Sequence, residues 1–344
     1  MAIQFHSLNV KQIIKETEKT VSIVFAIPEA LKESFKYKAG QYLTIRKTMN
    51  GEEVRRSYSI SSAPSIDAEI QISSKQLEGG KMSTFLLREL KEGDILEVMP
   101  PQGGFVVKDT TNPLVLFAAG SGITPIFSIL KEALVSSKQL VHLFYGNRNE
   151  EEIIFKDVLA KLSEEYSGRF LVQHFLSSNG ERLDLDRTQS LVKTLGAEAN
   201  NAAYFICGPE SMIQAVKLGL EKAAIPSSNV NIEYFASPKQ EKQESNVVAS
   251  GATEDIVVVI DDTEHAISVQ DGEFILDAAS RAGIDPPFSC QSGVCTTCKA
   301  KLLSGEVEME NNFGLGDDEI NEGYVLTCIG KPITPGVKIS WDEV

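Results

Sequence analysis

Four of the five cysteines in this 344-residue chain are spaced to hold metal. Cys290, Cys295 and Cys298 lie in the run Cys290-Gln291-Ser292-Gly293-Val294-Cys295-Thr296-Thr297-Cys298, and Cys328 closes Val325-Leu326-Thr327-Cys328 further on. C-x4-C-x2-C…C is a thiolate spacing that binds a [2Fe–2S] cluster. A loop that carries three sulfurs to two irons must wrap tightly, which calls for small side chains and backbone free to take unusual dihedrals. Ser289, Ser292, Gly293, Thr296 and Thr297 meet that need, with Gly293 able to adopt positive φ at low cost. Three other readings compete. A zinc site usually shows paired C-x2-C knuckles, of which only one is present. Disulfides need an oxidising compartment, and an odd number of thiols leaves one over. Simple packing leaves the spacing unexplained.

A second group of residues can bind phosphate. Gly120-Ser121-Gly122-Ile123-Thr124-Pro125 follows an apolar run at 114–119, the place of a dinucleotide phosphate loop, although Pro125 stands near where a Rossmann fingerprint wants its last glycine. Proline fits a first helical turn. Arg56-Ser57-Tyr58-Ser59 and Gly79-Gly80-Lys81-Met82-Ser83-Thr84 are two further short strings, each weak alone.

These residues need elements to place them. Residues 1–110 read as all-β: short apolar runs at 20–27 and 42–45, then Asn50-Gly51 as a hairpin turn, suggest a small antiparallel barrel. Residues 83–90 read as a helix whose first amides suit a phosphate. Residues 111–235 change period. Strand candidates at 114–119, 140–145, 169–176, 203–207 and 230–235 alternate with helices at 126–135, 150–166, 185–195 and 210–224, the pattern of a parallel α/β sheet. Residues 236–254 are polar and without period, a linker of about 25 Å mean reach at random-coil scaling. Residues 255–344 open with a hairpin (256–260 and 264–269), then a short helix (274–282), the cysteine loop and a strand at 299–303.

Composition fits a globular chain with 42% hydrophobic residues. No apolar run is long enough to span a bilayer, and residues 1–6 lack the regions of a signal peptide. The expectation is a cytoplasmic protein, with no membrane insertion. A formal charge of −15 speaks against nucleic-acid binding. From residue 254 onward there are eighteen Asp/Glu against five Lys/Arg, whereas residues 1–110 hold fourteen against fifteen. Such a field can steer the C-terminal module toward a basic surface on a partner.

Taken together, the strings resemble the ferredoxin–NADP reductase superfamily: R-x-Y-[ST] and G-x-x-[ST] in a flavin barrel, G-x-G-x-[TS]-P at the nucleotide loop, and C-G-P-x-x-M, here Cys207-Gly208-Pro209-Glu210-Ser211-Met212. Residues 255–344 resemble a plant-type β-grasp ferredoxin domain. The order of modules is similar to reductase components of the phenylacetyl-CoA epoxygenase type.

The resemblance implies roles. Arg56 would bind the flavin pyrophosphate, with Ser57 in the same string. Tyr58 would lie on the isoalloxazine, and Ser59 would bond near the flavin N5. Gly80, Lys81, Met82 and Ser83 would hold a phosphate; FAD is expected, FMN being used in a dioxygenase-reductase branch. Gly120 and Gly122 would form the dinucleotide phosphate loop, and Thr124, Cys207 and Gly208 would lie by the nicotinamide, with Ser59, Thr124 and Cys207 nearest the chemistry. Phe235 would stack on the flavin. Arg148, with no nearby acid suited to a ribose 2′-hydroxyl, suits a 2′-phosphate and so NADPH over NADH. Cys290 and Cys295 would hold the outer iron, Cys298 and Cys328 the inner.

A nicotinamide gives electrons in pairs, a [2Fe–2S] cluster takes them singly, and a flavin converts between the two. The expected activity is therefore an NADPH-dependent reductase feeding a protein acceptor, a diiron oxygenase leading. A stand-alone diaphorase or quinone/ferric reductase, and a non-enzymatic four-cysteine metal module, are the alternatives.

Overall fold

The computed structural model describes residues 4–235 and 253–344, so all but the end of the expected linker lies outside the described residues. Two compact units form, one from Phe5 to Phe235 and the other within Ala236–Val344.

The first unit begins with six antiparallel strands: β1 (His6–Thr17), β2 (Thr20–Ala26), β3 (Tyr42–Met49), β4 (Glu52–Ser59), β5 (Ile70–Lys75) and β6 (Ile95–Val98), in the order β4-β3-β6-β1-β2-β5. An Ile60↔Ile72 bridge joins the two ends of that order and closes the barrel. Apolar residues alternate inward, among them Leu8, Ile23, Phe25, Leu43, Ile45 and Ile60. Asn50 and Gly51 both take positive φ, 52° and 82°, which is what a two-residue hairpin turn matching strand twist requires. Helix α1 runs Lys81–Arg88, two residues ahead of its expected start, because Gly80 in extended backbone already serves as its N-cap.

The parallel sheet follows. Its strands are β7 (Leu114–Ala119), β8 (Val141–Asn147), β9 (Phe170–Leu176), β10 (Ala203–Cys207) and β11 (Val230–Glu233), ordered β11-β10-β7-β8-β9. Helices α2 (Ile123–Ser136), α3 (Lys156–Glu165), α4 (Leu185–Leu195), α5 (Glu198–Asn201) and α6 (Glu210–Lys222) are interleaved with these strands. Each face of the sheet carries its own apolar core. One expected helix is shorter than the sequence suggests. Residues 150–155 do not join α3, because Phe155 takes φ 61° and so breaks the helical path. Its ring is stacked on Phe127 at 4.1 Å, burial that offsets a left-handed residue's cost of about 1–2 kcal/mol.

The second unit is built on a five-stranded sheet of β12 (Thr253–Ile260), β13 (Thr263–Gln270), β14 (Lys299–Ser304), β16 (Tyr324–Leu326) and β18 (Lys338–Ser340), ordered β13-β12-β18-β14-β16. A small ribbon of β15 (Val307–Met309) and β17 (Gly330–Pro332) pairs separately. Helix α7 (Ile275–Arg281) buries Ile275, Ala278 and Ala279 against the sheet, and α8 (Asp317–Asn321) precedes β16.

Candidate functional site

In the first unit, three separated strings meet at the C-terminal edge of the parallel sheet. Strand pairing sets Cys207 opposite Ala118 on one side and Glu233 on the other. Ser59, the last residue of β4, donates its hydroxyl to the Glu233 carboxylate at 3.4 Å. Burial pushes the Glu233 carboxyl up to about 8, the Ser59 hydrogen bond only partly opposing it. Burial likewise holds the Cys207 thiol well above its ordinary range, with the Glu233 charge adding to the effect. Near neutral pH Glu233 therefore keeps its proton for the most part, and Cys207 is a thiol rather than a nucleophilic thiolate.

The nucleotide loop is locked against the same strand. A Cβ on Gly122 would stand 2.1 Å from the Cys207 carbonyl oxygen, and one on Gly208 would stand 3.1 Å from the Ala119 amide nitrogen. Gly122 must be glycine, and at Gly208 a side chain would have to displace the Met212 methyl and crowd Ala119, so the G-x-G and C-G-P strings pack backbone to backbone in a cradle that suits a flat ring and phosphates. Gly120 takes φ 53°, and its carbonyl accepts from the Tyr145 hydroxyl at 3.1 Å. Thr124 is buried, and its hydroxyl donates to the Ser121 carbonyl, which fixes the first turn of α2.

The two strings expected to bind flavin lie on the barrel. Along β4, Tyr58 packs on the barrel core, its phenol pushed up to about 12 by burial, and the Ser57 hydroxyl pairs with that of Thr44 at 3.1 Å. Arg56 is exposed, one guanidinium nitrogen donating to the Arg55 carbonyl. Ser83 accepts from the Leu77 amide at 3.1 Å and donates to the Gly80 carbonyl, shaping the turn into α1. Met82 is buried in the barrel core, and the exposed Lys81 pairs with Glu52 at the start of β4. The Lys81–Glu52 pair thus links the start of α1 to the start of β4, and the Met82 side chain is turned into the core.

Two expected residues stand apart from this convergence. Phe235 is 46% exposed, just beyond β11. Arg148 follows β8, its side chain 75% exposed and 4.0 Å from Glu152, which is itself held by Lys75 at 2.8 Å.

In the second unit the cysteine sulfurs face one another. Cys290 neighbours Cys295 and Cys328, and Cys328 also neighbours Cys298. Among the described residues no group of three or more His, Cys, Asp or Glu side chains is arranged for a single metal ion. Four mutually facing thiols are a donor set for two irons. Cys295, Cys298 and Cys328 are buried and Cys290 is the most open. Gly293 takes φ 73°, and a Cβ there would stand 2.6 Å from the Asn311 carbonyl oxygen. Gln291 also takes positive φ, 54°, which its side chain gives no hint of. The Cys295 amide donates to the Cys290 sulfur at 3.3 Å, the type of bond that tunes a cluster. Thr327 donates through its hydroxyl to the Cys298 carbonyl at 3.0 Å, and its own carbonyl accepts from the Leu276 amide of α7, so the backbone leading into Cys328 is fixed from both sides.

Three family models match in chain order: an oxidoreductase FAD-binding domain over residues 7–107, an oxidoreductase NAD-binding domain over 116–218 and a 2Fe-2S iron-sulfur cluster binding domain over 258–332. The chain is 36% identical to one component of the 1,2-phenylacetyl-CoA epoxidase of Escherichia coli, covering 98% of each. This chain belongs to that family of FAD-, NAD- and [2Fe–2S]-binding reductases. A second relative, the ferredoxin reductase component of 3-ketosteroid-9-alpha-monooxygenase from Rhodococcus rhodochrous, is 35% identical over 97% of this chain and 96% of its own. Phthalate dioxygenase reductase shares the fold, with a TM-score of 0.62 at 23% identity and 98% of each chain covered. The family's members are NAD(P)H-dependent oxidoreductases, so the non-enzymatic metal module is set aside. Among the described residues no helix is long and apolar enough to cross a membrane.

The sequence reading missed Glu233. It closes the short strand Val230-Asn231-Ile232-Glu233, and only the register beside Cys207 singles it out.

Proposed function

We propose that this reductase takes hydride from NADPH onto FAD beside Ser59, Cys207 and Glu233, and sends electrons singly through a [2Fe–2S] cluster on Cys290, Cys295, Cys298 and Cys328 to a diiron oxygenase of the phenylacetyl-CoA epoxidase kind. When bound, FAD supplies the exchange between paired and single electrons, and the cluster supplies the one-electron outlet. The chain's own residues bind, orient and handle the proton. Gly120, Gly122 and Gly208 present bare backbone to the nucleotide, and the exposed Arg56 offers a guanidinium fork to the flavin pyrophosphate. Phe235 offers a half-open ring to the flavin. Glu233 holds a proton near neutral pH and accepts a hydrogen bond from the Ser59 hydroxyl. Arg148, loosely held by Glu152, is available to a 2′-phosphate.

The observation that carries this reading is the meeting of Ser59, Cys207 and Glu233, which come from three separate stretches of sequence. The test is Cys298→Ser. Loss of cluster absorbance and of protein-acceptor reduction, with NADPH–ferricyanide turnover kept within about twofold, is expected. Protein-acceptor reduction that survives would instead favour a diaphorase, and loss of both activities would mean that electrons do not leave the flavin in the proposed order.

A further inference from the structure

The proposed reaction leaves one proton over. A hydride carries two electrons and one proton, the electrons depart through the cluster, and the proton must reach solvent from a site where Ser59 is buried and Glu233 only partly exposed. A chain of hydroxyls runs along the outer face of the barrel wall. Ser61 bonds to Ser73 at 2.7 Å, Ser73 to Ser22 at 2.7 Å, and Ser22 donates to a Glu16 carboxylate oxygen at 2.6 Å. All three serines are buried, and Glu16 is half-buried. Their neighbours Ile60, Ile72, Val21 and Ile23 point into the barrel core, so strand alternation turns the serines outward. The Ser62 carbonyl accepts from Ser128 of α2, which places this face of the barrel against the nucleotide domain within the same unit.

The chain can be satisfied in either direction. With Glu16 ionised, Ser22 donates to it, Ser73 to Ser22 and Ser61 to Ser73, while the Gln71 side-chain amide donates to Ser61 at 3.2 Å. With Glu16 protonated, every hydroxyl can turn, and Ser61 then donates to the Gln71 backbone carbonyl at 3.4 Å. Both polarities have a partner at the inner end.

We propose that Ser61, Ser73 and Ser22 form a proton relay that delivers the leftover proton from the Ser59–Glu233 pair to Glu16 and thence to solvent. At the outer end, Glu16 lines a cleft of 230 Å³ with Glu150, Glu151, Ile153, Lys156 and Asp157. At the inner end, Ser61 is two residues beyond Ser59 on the same side of an extended stretch, about 7 Å along the chain, and the relay requires two waters in series across that interval. Each hop moves one proton between oxygens and no electrons. The charged groups facing Glu16 are Lys131 of α2 and, across the cleft, Glu150, Glu151, Asp157 and Lys156. Burial holds the Glu16 carboxyl above its ordinary value, so it can accept a proton and still release it.

The relay rests on the proposed hydride chemistry, and one experiment on the full-length holoprotein separates their failures. In anaerobic stopped flow, flavin bleaching by NADPH and proton release to an indicator dye during subsequent reoxidation by ferricyanide are recorded for wild type, Ser73→Ala and the conservative Glu16→Gln. Proton release at least fivefold slower in both variants, with an altered solvent deuterium effect and bleaching at the wild-type rate, is expected. In the oxidised protein without nucleotide, an infrared carboxylic-acid band present at low pH and absent in Glu16→Gln is also expected, shifted by Ser73→Ala. Wild-type proton release in both variants, or no such shift, would overturn the relay while leaving the hydride reading intact. Failure of NADPH to bleach the wild-type flavin would sink the parent reading first.

Discussion

At the scale of the residue, Glu233 shows best how fold creates chemistry. Its partner Ser59 lies 174 positions earlier in the chain, so nothing local in the sequence marks the carboxylate as desolvated. Cys207, Gly122 and Gly208 were legible because their strings have fixed spacing, whereas Glu233 is defined only by the strand register that sets it beside Cys207. Its raised pKa has a consequence for stability. The folded carboxyl titrates at about 8 against an ordinary 4.5, so between those values the folded state holds a proton that the unfolded state has lost. Stability is then fully present at low pH and falls as pH rises toward 8. Glu233→Gln removes that titration. Urea midpoints measured at pH 5 and pH 9 are expected to drop less in the variant than in the wild type, and equal drops would show that the carboxyl does not hold its proton in the folded protein.

At the scale of the element, the period of the sequence located most strands and helices, and the differences have physical causes. β7, α4 and β10 match the expected 114–119, 185–195 and 203–207, because each is bounded by a clear change in apolar pattern. The helix expected over 150–166 fails at its start, where aromatic stacking of Phe155 on Phe127 outweighs helical propensity. That interruption matters for the nucleotide. The turn of Glu150–Glu152 lies between β8 and α3, its Asn149 side chain accepting from the Glu152 amide, and it holds Glu152 within 4.0 Å of Arg148. Lys75 also binds Glu152, at 2.8 Å, so the acid is shared and the guanidinium stays free to turn outward. Arg148→Ala should therefore raise the KM for NADPH about tenfold and leave that for NADH within twofold, the energy of one charge-assisted contact to phosphate. An unchanged ratio of the two kcat/KM values would withdraw the 2′-phosphate assignment from this strand end.

At the scale of the whole molecule, charge is distributed as unevenly as cofactors. Residues 254–344 carry eighteen acids and five bases, −13 of the chain's −15, while the remaining 253 residues are nearly balanced. Isolated surface ion pairs in that module, such as Lys338–Glu264 and Lys331–Glu310, neutralise a few of these acids and add little stability. The surplus is better understood as a long-range field that raises the encounter rate with a basic partner surface. A Debye length of about 8 Å at physiological salt, against about 30 Å at 0.01 M, gives the field a measurable signature. The second-order rate of oxygenase reduction is expected to fall about tenfold between 0.01 and 0.3 M NaCl, while NADPH-driven reduction of a neutral quinone changes less than twofold. Charge reversal confined to α8, as Asp317→Lys with Asp318→Lys, should flatten the salt dependence if these exposed acids contribute to steering. A protein-acceptor rate that is flat or rises with salt would mean that the acidic module serves solubility alone, and that recognition lies in short-range contacts around the cluster.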